Sequence, residues 1–348
     1  MLKIGIIGCG KITEVRHAPE YAENPDCRIV GFYDFFPERA EAMAKLYGGK
    51  AYASMEELLA GDADAVSVCV ANDSHASASV AALRAGKHVL CEKPMAVTLE
   101  DCKAMVKEAE AAGKKLMIGH NQRFAKAHVK AREIIASGQL GRVLAFHTTF
   151  GHPGPEGWTG QANSWFFDKK RAAFGALADL GVHKTDLMHF LLGEDIVQVS
   201  ASFCTLDKKY PDGTPIAVDD NAICIYTTRS GVVGTMHVSW TFYGKEDNST
   251  RIYGTEGILR IYDDPEYSLI WEKRDGTEER MALDQMTSNE EQTTGGRTST
   301  GVIDAFVDCV IHDHEPPVSG REAMKAMQVI FAAEKSSKEG RSVQVDYD

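Results

Sequence analysis

The stretch that decides the fold is residues 2–14, LKIGIIGCGKITE, in which an apolar run leads into Gly8-Cys9-Gly10-Lys11-Ile12-Thr13 and then into a helical pattern beginning near Glu14. A strand, a glycine turn and a helix in this order are typical of the first unit of a dinucleotide-binding domain. The first glycine permits a tight turn, the second lets the backbone approach a pyrophosphate, and the helix N-terminus offers N–H donors. We therefore predict that a dinucleotide is bound by Gly8, Gly10, Lys11 and Ile12.

The second predicted strand supports this prediction, because a glycine turn alone also fits an α/β fold without a cofactor. The strand ends at Asp34, where such domains place the acid that hydrogen-bonds an adenosine ribose. Phe35 and Phe36 follow, so no adjacent cation neutralises a 2′-phosphate, and a like-charge contact costs about 4 kcal/mol at an effective dielectric of about 20. We predict that NAD is preferred over NADP. Thr13 stands at the third glycine position of the motif and changes only the expected approach of the helix.

The first 120 residues alternate between short apolar runs and amphipathic stretches, which predicts a doubly wound α/β domain with a parallel sheet. Ser54 and Thr98 begin capping-box patterns, and Gly86 and Gly113 stand where a helix ends in a left-handed residue. Because a run such as AVSVCVA is continuously apolar, both faces of the sheet should be covered. The predicted strands are Leu2–Ile7, Arg28–Tyr33, Ala65–Val70, Val89–Glu92 and Leu116–Gly119.

After about residue 140 the pattern changes to β-branched and aromatic segments separated by turns, which predicts a large, mostly antiparallel sheet. One helix, at about Gly175–Leu192, interrupts the early part of this sheet. Two more helices, Val302–His312 and Arg321–Ser337, close the chain. We therefore predict two domains of unlike construction. The predicted strand segments are RVLAFHTTF, IVQVSASF, NAICIYTT, VVGTMHVSWTF, TRIYGT, GILRIY and SLIWEKR.

The composition narrows the class of protein. The 348 residues include 50 acidic and 38 basic side chains, and the net charge of -12 argues against a nucleic-acid or anionic-membrane binder. A hydrophobic content of 44% and a charged content of 25% are typical of a globular protein. The N-terminus, MLKIGIIGCGK, resembles neither a signal peptide nor a membrane span, so we expect a cytoplasmic location. The eight cysteines are scattered singly and are expected to be reduced core residues.

A second polar cluster follows two later strands at their carboxyl ends, where open α/β sheets bind ligands. Asn72 follows AVSVCVA, and Lys93 leaves a buried strand immediately before a proline, where a fixed backbone can direct its charge. Two alternatives are an ordinary surface pair for Glu92 and Lys93 and a structural role for His75 in the first turn of a helix. We predict that Asn72, His75, Glu92 and Lys93 contact the cofactor.

A third motif places Asp179, His183 and Asp186 on one face of the predicted helix at residues 175–192. Two carboxylates and an imidazole are unusual on an otherwise apolar helix. The alternative is a buried polar network that serves the fold, which we favour for Asp186. His183 suits proton transfer because histidine titrates near neutral pH. The other histidine pairs lack metal-ligand spacing, and no metal is predicted.

These motifs together resemble the Gfo/Idh/MocA oxidoreductases, which include inositol dehydrogenase and glucose-fructose oxidoreductase. The resemblance covers essentially the whole chain and rests on GIIGCGKI, Asp34, NDSHASASVAALRAGKHVLCEKPMAVT, GHNQRF and GALADLGVHKTDL. It implies a Rossmann domain at residues 1–120 and a substrate-binding domain at residues 121–348. The second domain would mediate a dimer or tetramer through its open sheet, with the last helix able to pack back near the first domain.

The resemblance assigns catalytic roles to Lys93 of E-K-P and to Asp179 and His183 of D-x-G-x-H, and a cofactor contact to Gln122. Histidine at position 183, where some relatives carry tyrosine, favours the branch that resembles inositol dehydrogenase. The implied reaction is hydride transfer between nicotinamide and a secondary hydroxyl or ketone of a sugar, glycoside or cyclitol. His183 would accept the hydroxyl proton, Lys93 would stabilise the alkoxide, and Asp179 would hold a neighbouring hydroxyl.

Substrate specificity is expected from the second domain and from residues 120–170, where Lys169 is one candidate. Arg123 and Trp165 are candidate substrate contacts, because fork-like donors and aromatic faces suit polyhydroxylated rings. The loop at residues 151–165, GHPGPEGWTGQANSW, is either a wall of the site or a surface connection or subunit contact. The residues do not choose among inositol, a free hexose, a glycoside and an amino sugar.

Two other functions stay open. Some relatives use transient oxidation by tightly held NAD to cleave glycosidic bonds. The same fold also suits a non-catalytic nucleotide-sensing regulator, although the joint presence of Lys93, Asp179 and His183 argues against a sensor.

Overall fold

The computed structural model describes residues 1–160, 164–286 and 299–347. The chain divides into two compact units. The first contains Met1–His120 and the described part of Glu290–Met324, and the second contains the described parts of Asn121–Asn289 and Lys325–Asp348. The sequence prediction assigned all of residues 121–348 to one domain, whereas the helix Val302–Ile311 belongs to the first unit. The independent folding of two domains stays a prediction.

Within the described residues, six parallel strands form the sheet of the first unit. They are β1, Leu2–Ile7; β2, Cys27–Tyr33; β3, Lys50–Ala51; β4, Ala65–Val68; β5, His88–Cys91; and β6, Leu116–Ile118. Their order is β3-β2-β1-β4-β5-β6, so the strand order reverses between β1 and β4, where open α/β sheets bind ligands. The predicted doubly wound sheet is confirmed, and the five predicted strands end within two residues of those observed. β3 was not predicted, because two residues carry no apolar pattern.

The second unit contains the predicted large, mostly antiparallel sheet. Its strands are β7, Val143–Gly151; β8, Ile196–Cys204; β9, Asn221–Thr228; β10, Val233–Ser239; β11, Thr250–Gly254; β12, Gly257–Ile261; β13, Leu269–Lys273; β14, Glu278–Met281; and β15, Val343–Gln344. In the part of the chain that the structure describes, their order is β14-β13-β12-β11-β7-β10-β9-β8-β15, and β7 and β10 are the one parallel pair. The sequence prediction did not include β14 or β15.

The helices begin and end largely where local signals place them. Ser54 accepts a hydrogen bond from the Glu57 amide, and Thr98 accepts one from the Asp101 amide, each at 3.1 Å, which confirms both caps. Gly86 and Gly113 have the predicted positive φ angles. The helices are α1, Ala18–Glu23; α2, Pro37–Tyr47; α3, Met55–Ala60; α4, His75–Arg84; α5, Leu99–Ala112; α6, Lys126–Ala136; α7, Pro155–Thr159; α8, Lys169–Ala172; α9, Val182–Leu192; α10, Val302–Ile311; and α11, Gly320–Glu339.

Two π-helical segments stand directly before α1 and α9. The first covers Thr13–His17, so the helix after the glycine turn opens with a wide turn. The second covers Leu177–Gly181 and continues into α9, where a single helix was predicted. Such segments occur frequently at functional sites.

All eight cysteines are free thiols, as predicted. The expectation that they are core residues is wrong for Cys204, which is exposed because alternation along β8 places it on the open side of the sheet. None of the helices in residues 1–160, 164–286 and 299–347 has the length and apolar character needed to cross a membrane.

Candidate active site

The turn after β1 has the geometry that its glycines predicted. Gly8 has a φ of 94°, and a Cβ there would lie 2.4 Å from the carbonyl oxygen of Cys69, so no larger residue fits. A Cβ at Gly10 would meet no atom within 4 Å, so the backbone is open on that side. The Thr13 hydroxyl donates to the Gly8 carbonyl at 2.7 Å, which braces the turn. Lys11 and Ile12 lie between Gly10 and the first π-helical segment, where amide N–H groups precede the helical hydrogen bonds.

Asp34 is tied to this turn. One carboxylate oxygen accepts from the Cys9 amide at 2.6 Å, and the other accepts from the Phe36 amide at 2.9 Å. Each oxygen has a second lone pair, with which it can accept a ribose hydroxyl. The Arg39 guanidinium lies 4.7 Å from the centre of the Phe36 ring. The sequence prediction of no adjacent cation considered only Phe35 and Phe36.

The residues after β4 support a structural role for His75. Its Nδ1 lies 2.7 Å from the Pro94 carbonyl and its Nε2 lies 3.2 Å from the Val70 carbonyl. Burial lowers the pKa of His75, which favours the neutral ring, and a neutral ring donates a hydrogen bond to only one of these carbonyls. The ring therefore packs between the turns that follow β4 and β5. Asn72 is buried in the short turn before α4, and the cofactor contacts of both residues stay predictions.

Glu92 has a partner that the sequence prediction missed. Its Oε1 lies 2.8 Å from Nε2 of buried His17, 75 residues earlier in the chain. Burial lowers the pKa of His17, but the Cys69 thiol and the Glu92 carboxylate raise it to about 10. Burial raises the pKa of Glu92, but the hydrogen bond and the charge of His17 lower it to about 2. The two side chains therefore form a buried ion pair at neutral pH.

This ion pair stands directly before Lys93. The other oxygen of Glu92 accepts from the Lys93 amide at 3.1 Å, and the Lys93–Pro94 peptide is cis. A Cβ at Gly119 would lie 3.3 Å from the Glu92 carboxylate, so the glycine leaves room for that carboxylate. The backbone of Lys93 is thus held by buried groups, whereas its side chain is half-buried.

In the second unit, Asp179 and His183 lie one helical turn apart, as their spacing predicted. Both are 7% exposed. The indole Nε1 of fully buried Trp240 donates to Asp179 Oδ2 at 3.1 Å, which orients the carboxylate. The His183 ring lies 6.0 Å, centre to centre, from the ring of Phe150. A carboxylate and an imidazole one helical turn apart are therefore each nearly buried, the first bonded to an indole and the second next to a phenyl ring.

Asp186, the third member of this motif, pairs with Arg123. The guanidinium donates through Nε and Nη2 to the two carboxylate oxygens at 2.7 and 2.6 Å, and both side chains are buried. This two-point contact supports the interpretation of Asp186 as part of a structural network. The predicted contact of Arg123 with substrate stays a prediction.

Gln122 lies in the turn before α6 with one polar atom unsatisfied. The side-chain Nε2 of Gln122 donates to Asn248 Oδ1 at 3.2 Å, and the backbone carbonyl of Gln122 accepts from His128 Nδ1 at 2.8 Å. Its Oε1 is buried without a hydrogen-bond partner among the residues that the structure describes. A ligand that donates a hydrogen bond would satisfy this oxygen.

The predicted loop at residues 151–165 is only partly described, because residues 161–163 lie outside the described residues. Lys208 donates to the Pro153 carbonyl and to Glu156, which fastens the first half of the loop. Trp165 is half-buried and stacks on Phe166, with ring centres 4.0 Å apart. Both interpretations of the loop stay open.

Across the described ranges, no three His, Cys, Asp or Glu side chains are grouped as metal ligands.

Comparison with known families identifies both units. Residues 2–120 match the model of an oxidoreductase family with an NAD-binding Rossmann fold. Residues 128–260 match the GFO/IDH/MocA C-terminal domain. The chain belongs to the GFO/IDH/MocA family. This GFO/IDH/MocA protein is therefore an oxidoreductase with an NAD-binding Rossmann domain, as its glycine turn and Asp34 predicted.

Relatives of this GFO/IDH/MocA protein span its length. It is 29% identical over 326 residues to 1,5-anhydro-D-fructose reductase from Ensifer adhaerens, with 91% of each chain covered. It is 28% identical over 345 residues to inositol 2-dehydrogenase from Rhizobium meliloti, with 99% of each chain covered. It is also similar to the solved structure of aldose-aldose oxidoreductase from Caulobacter crescentus complexed with glycerol, at 27% identity and a TM-score of 0.83 over 99% of each chain.

The first unit of this GFO/IDH/MocA protein fits NAD on its own geometry. The open backbone at Gly10 leaves space for a pyrophosphate, and the bracing of Gly8 by Thr13 keeps that backbone in place. Asp34 stands beside the same turn through its bond with the Cys9 amide. The turn and the acid are the two parts that the adenosine half of a dinucleotide requires.

Proposed function

We propose that the protein is an NAD-dependent dehydrogenase that transfers a hydride between nicotinamide and a secondary hydroxyl or ketone of a sugar, glycoside or cyclitol. The observation that carries the proposal is the neighbouring pair Asp179 and His183, in which the indole of Trp240 orients the carboxylate. A relative named as a reductase of an anhydro sugar and one named as a dehydrogenase of inositol support this class of substrate.

The proposed mechanism gives one role to each of three side chains. NAD supplies the hydride acceptor when it is bound. His183 accepts the proton of the reacting hydroxyl, and the cation of Lys93 stabilises the negative charge that develops on its oxygen. Asp179 accepts a hydrogen bond from a neighbouring hydroxyl and so orients the ring. In the direction of reduction, His183 returns the proton to the oxygen.

We propose that the residues around these three divide between cofactor and substrate. The cofactor contacts are Gly8, Gly10, Lys11, Ile12, Asp34, Asn72, His75, Glu92, Lys93 and Gln122. Two observations support them, the open side of Gly10 and the unsatisfied Oε1 of Gln122. In addition to Lys93, Asp179 and His183, two further residues are proposed as substrate contacts, Arg123 and Trp165. Asp34 favours NAD over NADP, because a carboxylate repels a 2′-phosphate.

The test is a panel of inositols, hexoses, glycosides and amino sugars, each incubated with NAD and with NADP. We expect NADH to accumulate with at least one free sugar or cyclitol, and faster than NADPH accumulates. Cleavage of a glycoside without net NADH would favour the glycoside-cleaving alternative. Tight NAD binding without turnover across the panel would contradict the dehydrogenase and favour a nucleotide-sensing regulator.

We propose a homodimer or homotetramer that packs through the open face of the nine-stranded sheet. On that face of the described residues, Ile223, Ile225 and Val233 are 47%, 48% and 46% exposed. Their exposure supports an interface, because large apolar side chains that cluster on one surface mark sites of association.

A cytoplasmic location is also proposed, since eight free thiols suit a reducing compartment.

Ile225→Asp is expected to shift the mass in solution to that of the monomer if the protein is a homodimer, and to that of a smaller oligomer if it is a homotetramer. A buried, unpaired carboxylate at an interface costs several kcal/mol. Light scattering after size-exclusion chromatography measures the mass. Leu46→Asp is the matched control, because Leu46 is 68% exposed on a helix of the first unit. An unchanged oligomer with Ile225→Asp would rule out this face.

A further inference from the structure

We infer that Asp219 and Asp220, the two residues directly before β9, position Asp179 for the reaction. The inference rests on the proposed function of Asp179. Asp219 acts on the beginning of the helix that carries Asp179, and Asp220 holds the backbone of Trp240, whose indole bonds the Asp179 carboxylate. Both are positioning residues, since their carboxylate oxygens are engaged by backbone amides.

Asp219 caps the segment that leads into Asp179. Its Oδ1 accepts from the Gly175 amide at 2.7 Å, and its Oδ2 accepts from the Leu177 amide at 2.8 Å. Its own carbonyl accepts from the amide between them, that of Ala176, at 2.9 Å. Three successive N–H groups at the beginning of the helix, which have no helical partners, are therefore satisfied by one residue that lies 42 to 44 positions further on.

The contact between this segment and Asp219 is unusually close. A Cβ at Gly175 would lie 1.7 Å from the Asp219 carbonyl oxygen, so only glycine fits. Asp219 is 6% exposed, and burial raises its pKa to about 6 although the two amides oppose this. An ionised carboxylate is costly in such a place unless its hydrogen bonds are made. The hydrogen bonds of Asp219 therefore hold the beginning of the helix in one position.

Asp220 acts through Trp240. Its carbonyl accepts from the Trp240 amide at 2.7 Å, and the indole of the same tryptophan donates to Asp179. The Asp220 carboxylate accepts from three consecutive amides, each at 2.8 Å, which are those of Leu206, Asp207 and Lys208. The backbone that bears Trp240 is thus anchored to a turn by the same residue.

Together, the two residues hold Asp179 from both sides. The backbone of Asp179 follows the helix start that Asp219 caps, and its carboxylate faces the indole that Asp220 supports. The rings of Phe166 and Phe167 lie 6.3 and 6.0 Å from that of Trp240, which limits movement of the indole. Displacement of a positioning group by about 1 Å can reduce a rate by about 100-fold, so small losses of this support should be measurable.

Asp219→Asn and Trp240→Phe test the inference. Asparagine keeps the shape of Asp219 but turns an amino group toward one backbone N–H, and phenylalanine keeps the packing of Trp240 but loses its N–H donor. We expect Asp219→Asn to lower kcat roughly 10- to 100-fold. We expect Trp240→Phe to lower it roughly 10-fold. Neither should change the Kd for NAD by more than about twofold. Asp212→Asn is the control, since the Asp212 carboxylate accepts a hydrogen bond from the Thr214 amide in an exposed turn.

Hydrogen exchange of residues 175–181 is the second measurement. It should become faster in Asp219→Asn and stay unchanged in Asp212→Asn. Unchanged exchange or unchanged kcat in Asp219→Asn would overturn the inference. If that variant does not fold, Trp240→Phe decides, and full activity there overturns it. If the wild type oxidises no sugar of the panel, the proposed function fails, and the exchange result alone decides whether Asp219 holds the helix.

Discussion

We expect His183→Gln to lower kcat for sugar oxidation by roughly 100- to 10,000-fold, which is the usual contribution of a general base. Glutamine occupies a similar volume beside Phe150 and can hydrogen-bond to a hydroxyl, but it cannot accept the hydroxyl proton. The Kd for NAD should stay within about twofold of the wild-type value. Steady-state absorbance of NADH gives kcat, and fluorescence titration with NAD gives the Kd.

His312→Gln is the matched control, because the side chain of His312 is 66% exposed in the first unit. It should leave kcat unchanged. Turnover near the wild-type rate in His183→Gln, with NAD binding intact, would exclude His183 as the base.

We expect Lys93→Met to lower kcat by roughly 100- to 1,000-fold, the usual loss when one group that stabilises a developing oxyanion is removed. Methionine keeps most of the aliphatic stem but carries no charge. Lys93→Arg should recover only part of the rate, because a planar guanidinium does not present its charge as a compact ammonium does. Initial rates at saturating NAD and sugar measure the effect.

Lys107→Met, on the exposed face of α5, serves as the control for the loss of one positive charge. A Lys93→Met enzyme that keeps its kcat but has a raised KM for sugar would contradict the proposed role. It would show that Lys93 contributes equally to ground-state and transition-state binding.

Local sequence signals predicted those parts of the fold that depend on residues close to one another in sequence. The turn at Gly8, the Ser54 and Thr98 caps and the strand at residues 221–228 each depend on neighbours within a few residues, and each is observed. Asp34 was located by counting from a strand end, since the carboxyl ends of parallel strands meet at one edge of a sheet.

Contacts between distant residues could not be predicted from one sequence. The contact of the Glu92 carboxylate with His17 was not predicted, because no local pattern connects these two residues. The predicted contact of Glu92 with the cofactor stays a prediction. Arg123 was taken as a substrate contact because a guanidinium suits hydroxyls, and the same fork suits Asp186, 63 residues away. A side chain with several suitable partners is assigned only when the fold brings one of them near.

The position of β7 in the large sheet has a consequence for synthesis of the chain. β7 lies between β10 and β11, so each of its neighbours comes late: His147 bonds Thr235 across 88 residues, and Thr148 bonds Thr250 across 102. At about 5–20 residues per second, the ribosome needs roughly 5–20 s to make that stretch. During this time, both edges of β7, including Phe150 at its end, stay open to other strands, and nascent chains on neighbouring ribosomes are the nearest source. β7 therefore completes its pairing only after both β10 and β11 have been made.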